Sequence, residues 1–140
     1  MLLSVIVPVY NTGLFLRRCL ISVVKQIDKD VEIICIDDGS KDDSGAICDE
    51  FAEKYDCVKV YHKSNEGVSS ARNMALSYAD GKYIAWVDSD DYVADDWYQS
   101  LKPLLERDID LIFFEHYRIE NGILHRMRCF GASARIMGAA

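Results

Sequence analysis

Long apolar runs are missing from this chain of 140 residues. Nothing in it approaches the roughly 18 to 20 consecutive apolar residues that cross a bilayer. The opening MLLSVIVPVYN also lacks the charged n-region and the A-x-A-like cleavage site of a secretory leader. It is expected to be the first core strand. Positive charge is in short supply: 16 Lys and Arg stand against 23 Asp and Glu, a net charge of −7. That balance argues against non-specific binding to nucleic acid or to an anionic membrane. No C-x-x-C occurs among the five cysteines, Cys19, Cys35, Cys48, Cys57 and Cys129. Their odd number and apolar surroundings predict reduced, mostly buried thiols in a cytoplasmic protein, free or peripheral at the cytoplasmic face of a membrane. His62, His116 and His125 form no i,i+4 pair, which argues against a zinc-type site. Internal repeats and linkers are absent as well.

What remains is an ordinary globular balance, half hydrophobic and 28% charged, long enough for one domain with a real core. LLSVIVPVY (2–10) is a β-branched run closed by Asn11-Thr12-Gly13, a turn and helix-cap signal. Apolar positions 16, 20, 23, 24 and 27 then keep helical spacing. VEIICI (31–36) predicts a second buried strand, positions 47, 48, 51, 52 and 55 a second helix, and VKVY (58–61) a third strand. Positions 68, 71, 75, 78 and 79 mark a third helix with Gly81 as its C-terminal cap, followed by strand KYIAWV (82–87). Asp95 is the expected N-cap of a helix carrying Trp97, Leu101 and Leu105, which Pro103 should kink or shorten. DLIFFE (110–115) predicts a fifth strand. The order predicts an α/β domain over residues 1–115, its mainly parallel sheet covered by helices on both faces. After Tyr117 the chain turns basic, with Arg118, Arg126, Arg128 and Arg135, and GASARIMGAA lacks periodicity. Residues 116–140 are expected to be frayed or incomplete.

In an open parallel sheet, ligands bind beyond the carboxyl ends of the strands. The polar motifs fall there: Pro8, Tyr10 and Asn11 after the first strand, DDGS (37–40) after the second, NEGVSSARN (65–73) after the third and DSDD (88–91) after the fourth. Five aspartates lie within nine positions, Asp88, Asp90, Asp91, Asp95 and Asp96. In an extended segment Asp88 and Asp90 face one way and Ser89 the other. Two carboxylates held close repel, and a divalent cation relieves the repulsion. Oxygen ligands of this kind suit Mg²⁺ or Mn²⁺. The alternative is a solvated acidic loop. Asp37 and Asp38 can accept hydrogen bonds from a ribose hydroxyl or base N–H, or can simply make an Asx-turn. Arg72, near its helix N-terminus, either reaches an anion or is an exposed helix arginine. Tyr10 either stacks on a base or packs.

SVIVPVYN, IDDGSKDDS, NEGVSSARN and YIAWVDSDD, in this order and spacing, resemble the motifs of family-2 nucleotide-sugar glycosyltransferases of the GT-A fold. The resemblance covers roughly residues 2–115. It implies a GT-A domain over residues 1–115, with 116–140 opening the acceptor region or trailing as a disordered tail. It further implies transfer of a sugar from a nucleoside diphosphate, with uridine expected, to a glycan, lipid-linked or other hydroxyl acceptor, usually with inversion. By the same resemblance, Pro8, Tyr10 and Asn11 line the nucleoside pocket, and Asp38 accepts the uracil N3–H. Arg72 lies near the nucleotide. Asp88 sits by the ribose and donor sugar, and Asp90 makes the more direct contact with Mn²⁺ or Mg²⁺, with Asp88 beside it. Asp91 follows the motif, one step from the metal.

No catalytic base is assignable: the family's base comes from well beyond the D-x-D, and neither Glu115 nor Glu120 sits in its motif. The donor half is present and the acceptor half mostly absent, so completion by a partner or a second copy is one expectation. Binding of a nucleotide-sugar without turnover is another. A haloacid-dehalogenase-type phosphatase also uses D-x-D with Mg²⁺. Its pair, however, normally ends the first strand and is followed at position five by Thr or Val, where this chain has Tyr92 after its fourth strand. A dinucleotide-binding domain needs G-x-G-x-x-G, which PVYNTG lacks.

Overall fold

The computed structural model describes residues 1–112 and 116–127. The chain divides into two compact units, Met1–Gln99 and Ser100 onward. The boundary expected at residue 115 falls outside the described residues.

The first unit is a parallel sheet with helices on both faces. Strands β1 (Leu3–Val9) and β2 (Val31–Asp37) are buried along their whole length. Such a strand must be covered on both faces, as their β-branched composition requires. β3 (Val58–His62) and β4 (Tyr83–Trp86) are the edges, giving the order β3-β2-β1-β4. Helices α1 (Gly13–Val24) and α2 (Ser44–Lys54) pack against each other, and α3 (Val68–Tyr78) packs across β1 and β2. Ala71 and Ala75 of α3 close on Ile6, Ile34 and Ile36. Small residues there let the helix sit close to the sheet, while Val68 and Tyr78, expected on the same buried stripe, are exposed.

The chain winds from β1 through β2 to β3, then crosses back so that β4 lies on the other side of β1. The order in which strands are added therefore reverses between β1 and β4, and in such a parallel sheet the loops leaving the two strands diverge around a crevice. Pro8 sharpens that split. Tyr83 and Val87 donate to Leu2 and Ile6, so the even-numbered residues of β1 face β4. Pro8 has no N–H to continue this ladder. The pairing stops at Ile6–Trp86, and the chain after Val87 is released into the site.

Gly81 differs from expectation. α3 ends at Tyr78 with Ala79 in an extended conformation, so Gly81 caps nothing. Instead it lies against Ser4, to whose Oγ its N–H donates at 2.8 Å, and a Cβ there would collide with the backbone of Leu3 and Ser4. Below it sits Glu32, 1% exposed, accepting from Ser4 Oγ, Asp80 N–H and Lys59 Nζ. A charge near the start of VEIICI is tolerated because each oxygen is paired.

α4 (Trp97–Leu105) is short and ends just past Pro103. Of the expected strand 110–115, Leu111 makes a single bridge, and residues 113–115 lie outside the described residues. In the second unit, residues 116–127 carry regular structure. β5 (His116–Glu120) and β6 (Ile123–Met127) form an antiparallel hairpin. Asn121 and Gly122 turn it with φ of 51° and 77°, the left-handed pair that matches strand twist in a two-residue hairpin. GASARIMGAA lies outside the described residues.

Candidate functional site

All four loops at the carboxyl edge of the sheet are joined by side chains, each locally fixed by its sequence. After β1, Asn11 takes a left-handed conformation, φ 51°, which asparagine tolerates. Its N–H donates to Ser40 Oγ at 3.1 Å, and its Oδ1 accepts from Lys41 N–H at 2.7 Å. The next two amides donate to Ser44 Oγ and Asp42 Oδ2, so the loop after β2 satisfies the open N–H groups at the start of α1. Thr12 is thus the N-cap without a side-chain cap bond of its own. Its hydroxyl is instead 2.9 Å from Ser89 Oγ, tying the β1 loop to the D-x-D segment.

The two acids after β2 divide the work. Asp37 makes the turn, accepting from Ser40 N–H at 3.0 Å. Asp38, 2% exposed, reaches across to the loop after β3. Its Oδ1 accepts from Lys63 Nζ and Glu66 N–H, and its Oδ2 from Gly67 N–H and Asn65 Nδ2. Burial pushes its carboxyl up, but Lys63 and the two amides outweigh burial and hold it below the ordinary carboxylate value. Gly39, at φ 73°, allows this closeness, since a Cβ would stand 2.8 Å from Asn65 N. Lys63, its side chain 12% exposed, also pairs with Glu66 at 3.0 Å. Sequence reasoning missed Lys63. The only signal was a lysine two positions before the NEG turn.

Arg72 closes the ring. Its Nη2 is 2.8 Å from Asp88 Oδ1, and its guanidinium lies 5.7 Å from the centre of the Trp86 ring. In this state the arginine expected at the nucleotide is paired with the first aspartate of the D-x-D, and its buried Nε has no hydrogen-bond partner among the described residues.

Exposure alternates through the D-x-D: Asp88 and Asp90 are exposed, and Val87 and Ser89 buried. Asp91 N–H donates to Asp88 C=O at 3.0 Å, folding the segment into a turn. The segment is strapped onto α1 and the two residues after it. Arg18 donates to Asp90 C=O and stacks 4.5 Å over Tyr92, Ser22 accepts from Val93 N–H, and Gln26 donates to Ala94 C=O. Lys25 pairs with Asp95 at 2.5 Å, a use different from the cap expected of that residue. The carboxylate of Asp90 has no ion-pair or hydrogen-bond partner among the described residues.

Tyr10, 47% exposed, stands at the end of β1 with its ring open to solvent, and Pro8 is buried. Of the acids considered as a base, Glu120 pairs with Arg118 at 3.0 Å in the hairpin, and Glu115 lies outside the described residues. No group of three or more His, Cys, Asp or Glu side chains is arranged to hold a metal among the described residues. A Mg²⁺ or Mn²⁺ site that draws on one or two carboxylates and on substrate phosphates does not need such a group. Asp90 with a free carboxylate and Asp88 with one oxygen unengaged fit that donor set.

The glycosyl transferase family 2 model matches residues 4–135. The chain belongs to this family. Glycosyltransferase GlyG of Streptococcus pneumoniae serotype 4 is 42% identical over 121 residues, covering 85% of this chain and 40% of GlyG. The structure of S. aureus TarS 1-349 in complex with UDP-GlcNAc is similar with a TM-score of 0.70 at 32% identity, over 76% of this chain and 32% of that one. Mannosyltransferase PcManGT from Pyrobaculum calidifontis, in complex with GDP-Man and Mn²⁺, is similar with a TM-score of 0.59 at 25% identity, over 67% of this chain and 29% of that one. The chain thus spans less than half the length of each of these relatives. The sheet and its helices are those of the GT-A fold of these family-2 relatives. No helix among the described residues is long and apolar enough to cross a membrane.

Proposed function

We propose that this chain binds a uridine-diphosphate sugar and serves its transfer, with inversion, to a glycan, lipid-linked or other hydroxyl acceptor in polysaccharide biosynthesis. The observation that carries the reading is the ring of side chains joining all four carboxyl-edge loops, with the unpaired Asp90 carboxylate at the β1–β4 split. The likeness to TarS, solved with UDP-GlcNAc, supports uridine.

In this reading Tyr10 offers a ring face to the base, with Pro8 and Asn11 shaping the wall behind it. Asp38 already accepts four hydrogen bonds. The Asn65 contact, at 3.2 Å, is the longest and the one a uracil N3–H would displace. Asp88 and Asp90 would hold Mn²⁺ or Mg²⁺ beside the diphosphate, where a divalent ion supplies Lewis-acid stabilisation of the leaving phosphate. Arg72 would exchange Asp88 for a phosphate oxygen, keeping the nucleotide seated as negative charge grows on it. No residue here is assigned as the base.

Calorimetry tests this. Uridine diphosphate should bind about tenfold or more tightly with Mn²⁺ than with chelator, a charge-assisted difference of the expected size. Asp90→Ala should abolish most of that difference. Equal affinity in the two conditions for the unmodified chain, or an unchanged metal effect in Asp90→Ala, overturns the metal assignment. Binding with no sugar released from a UDP-sugar, with or without acceptors, assigns donor binding without turnover to this chain.

A further inference from the structure

His62, the last residue of β3, stands apart from the residues assigned to the donor. Its Nδ1 is 2.8 Å from Asp37 Oδ2 and its Nε2 is 2.9 Å from Asp49 Oδ1 of α2. A neutral imidazole donates from one nitrogen and presents a lone pair at the other. With a carboxylate oxygen at hydrogen-bond distance from each nitrogen, the neutral ring would aim a lone pair at an anion in either tautomer. Both contacts are attractive only in the doubly protonated ring.

Asp37 is what this cation secures. Its side chain is 8% exposed, and its two oxygens hold different pieces: Oδ2 meets His62, and Oδ1 accepts from Ser40 N–H. Its C=O accepts from Lys63 N–H. Ser40 holds Asn11 through its hydroxyl, and Lys63 holds Asp38. A Cβ on Gly45 would stand 2.9 Å from Asp37 Oδ2, so α2 packs closely over the same carboxylate. One imidazolium thus joins β3, the end of β2 and α2 directly behind the loop that carries Asp38.

We propose that His62 is a proton-dependent positioning residue for the donor-nucleoside loop. Protonated, it bridges Asp37 and Asp49 and fixes residues 37–40 and 63–67 for binding. Deprotonated, it releases one acid and the loop loosens. The charged groups facing the ring are Asp37 and Asp49, with the Lys63–Asp38 pair next along the chain. Both acids favour the cation, and the hydrogen bond that the ring donates to Asp37 is the larger influence holding it above its ordinary value of 6.5. A group raised in the ordered state stabilises that state below its ordinary value. The effect is lost as pH rises through the raised one. The loop is therefore ordered on the acid side and loosens on the alkaline side. This inference rests on the donor reading for its consequence but not for its geometry, and two readouts separate them.

The first readout needs no ligand. In the unmodified chain, NMR of the His62 ring nitrogens should show a single titration above pH 6.5. The Ser40 amide shift should follow the same midpoint and lose that dependence in His62→Gln. Titration of the ring at or below its ordinary value, or a Ser40 amide that ignores it, overturns the proposal. The second readout is calorimetry with uridine diphosphate and Mn²⁺ across the same pH range. Affinity should fall about threefold to tenfold through the His62 midpoint, the size of one ordinary hydrogen bond's net contribution. In His62→Gln it should be lower on the acid side and flat. Identical profiles for the two proteins overturn the role in binding. If uridine diphosphate binds neither protein, the donor reading fails, and the Ser40 titration alone decides the positioning role.

Discussion

Asp38 carries a structural role that the structure shows and, in the proposed function, a binding role as well. Its carboxylate is nearly inaccessible, yet it holds the loop after β3 through two backbone amides, a lysine and an asparagine. Removing it leaves the Glu66 and Gly67 N–H groups without their acceptor and the Lys63 ammonium with only Glu66 and the Ser64 C=O. Asp38→Ala is expected to weaken uridine diphosphate binding about tenfold or more, with or without metal, because loop order and base recognition are lost together. Calorimetry of the variant in Mn²⁺ and in chelator checks this, and a loss confined to the Mn²⁺ condition would contradict it. Asp90→Ala is expected to contrast with this, because the proposed function puts Asp38 at the nucleoside and Asp90 at the diphosphate.

Among the elements, the hairpin of β5 and β6 depends on its turn, because the residues described around it are exposed and give it little buried surface. Gly122 sits at φ 77°, where a β-branched residue is strained. Gly122→Val should therefore destabilise the hairpin by roughly 1 kcal/mol or more. The cross-strand contact between Arg118 and His125, visible by NMR, should weaken while the signals of the parallel sheet stay in place. The hairpin was legible in principle: Asn121-Gly122, with Ile119 before it and Ile123 after it, is a strong two-residue turn signal. The basic charge around it and the featureless stretch beyond drew the reading toward a frayed end.

For the molecule as a whole, the paired carboxylates set the acid limit of stability. Burial pushes the carboxyls of Glu32, Asp37 and Asp38 up, but in each the hydrogen-bond donors win and the value lies below the ordinary one. Asp42 is lowered chiefly by its bond from Ser44. Groups depressed on folding contribute fully above their unfolded values, near pH 4, and that contribution is lost as pH falls through the folded ones. His62 runs the other way, contributing below 6.5 and fading as pH rises through its raised value. Urea midpoints should therefore fall steeply below about pH 4, with a shallower decline on the alkaline side that His62→Gln removes. Glu32→Gln should flatten part of the acid limb and lower the plateau by about 1–3 kcal/mol, since a buried amide cannot accept from all three donors.

The sequence by itself settled the strand and helix order of the first unit, the parallel sheet and the placing of four polar loops at one edge. Those follow from local periodicity, and from the rule that fully apolar strands need cover on both faces. It also marked Asp88 and Asp90, because a cluster of like charges after a buried strand needs explaining whatever the fold. Tertiary structure alone decided the partnerships. Arg72 faces Asp88, Asp38 faces the β3 loop, His62 lies between two acids, and Gly81 serves close packing against Ser4 in place of a cap. These pairs lie from 13 to 77 residues apart in the chain. No local pattern encodes them, since each depends on how neighbouring strands set the register and direction of the loops at their ends.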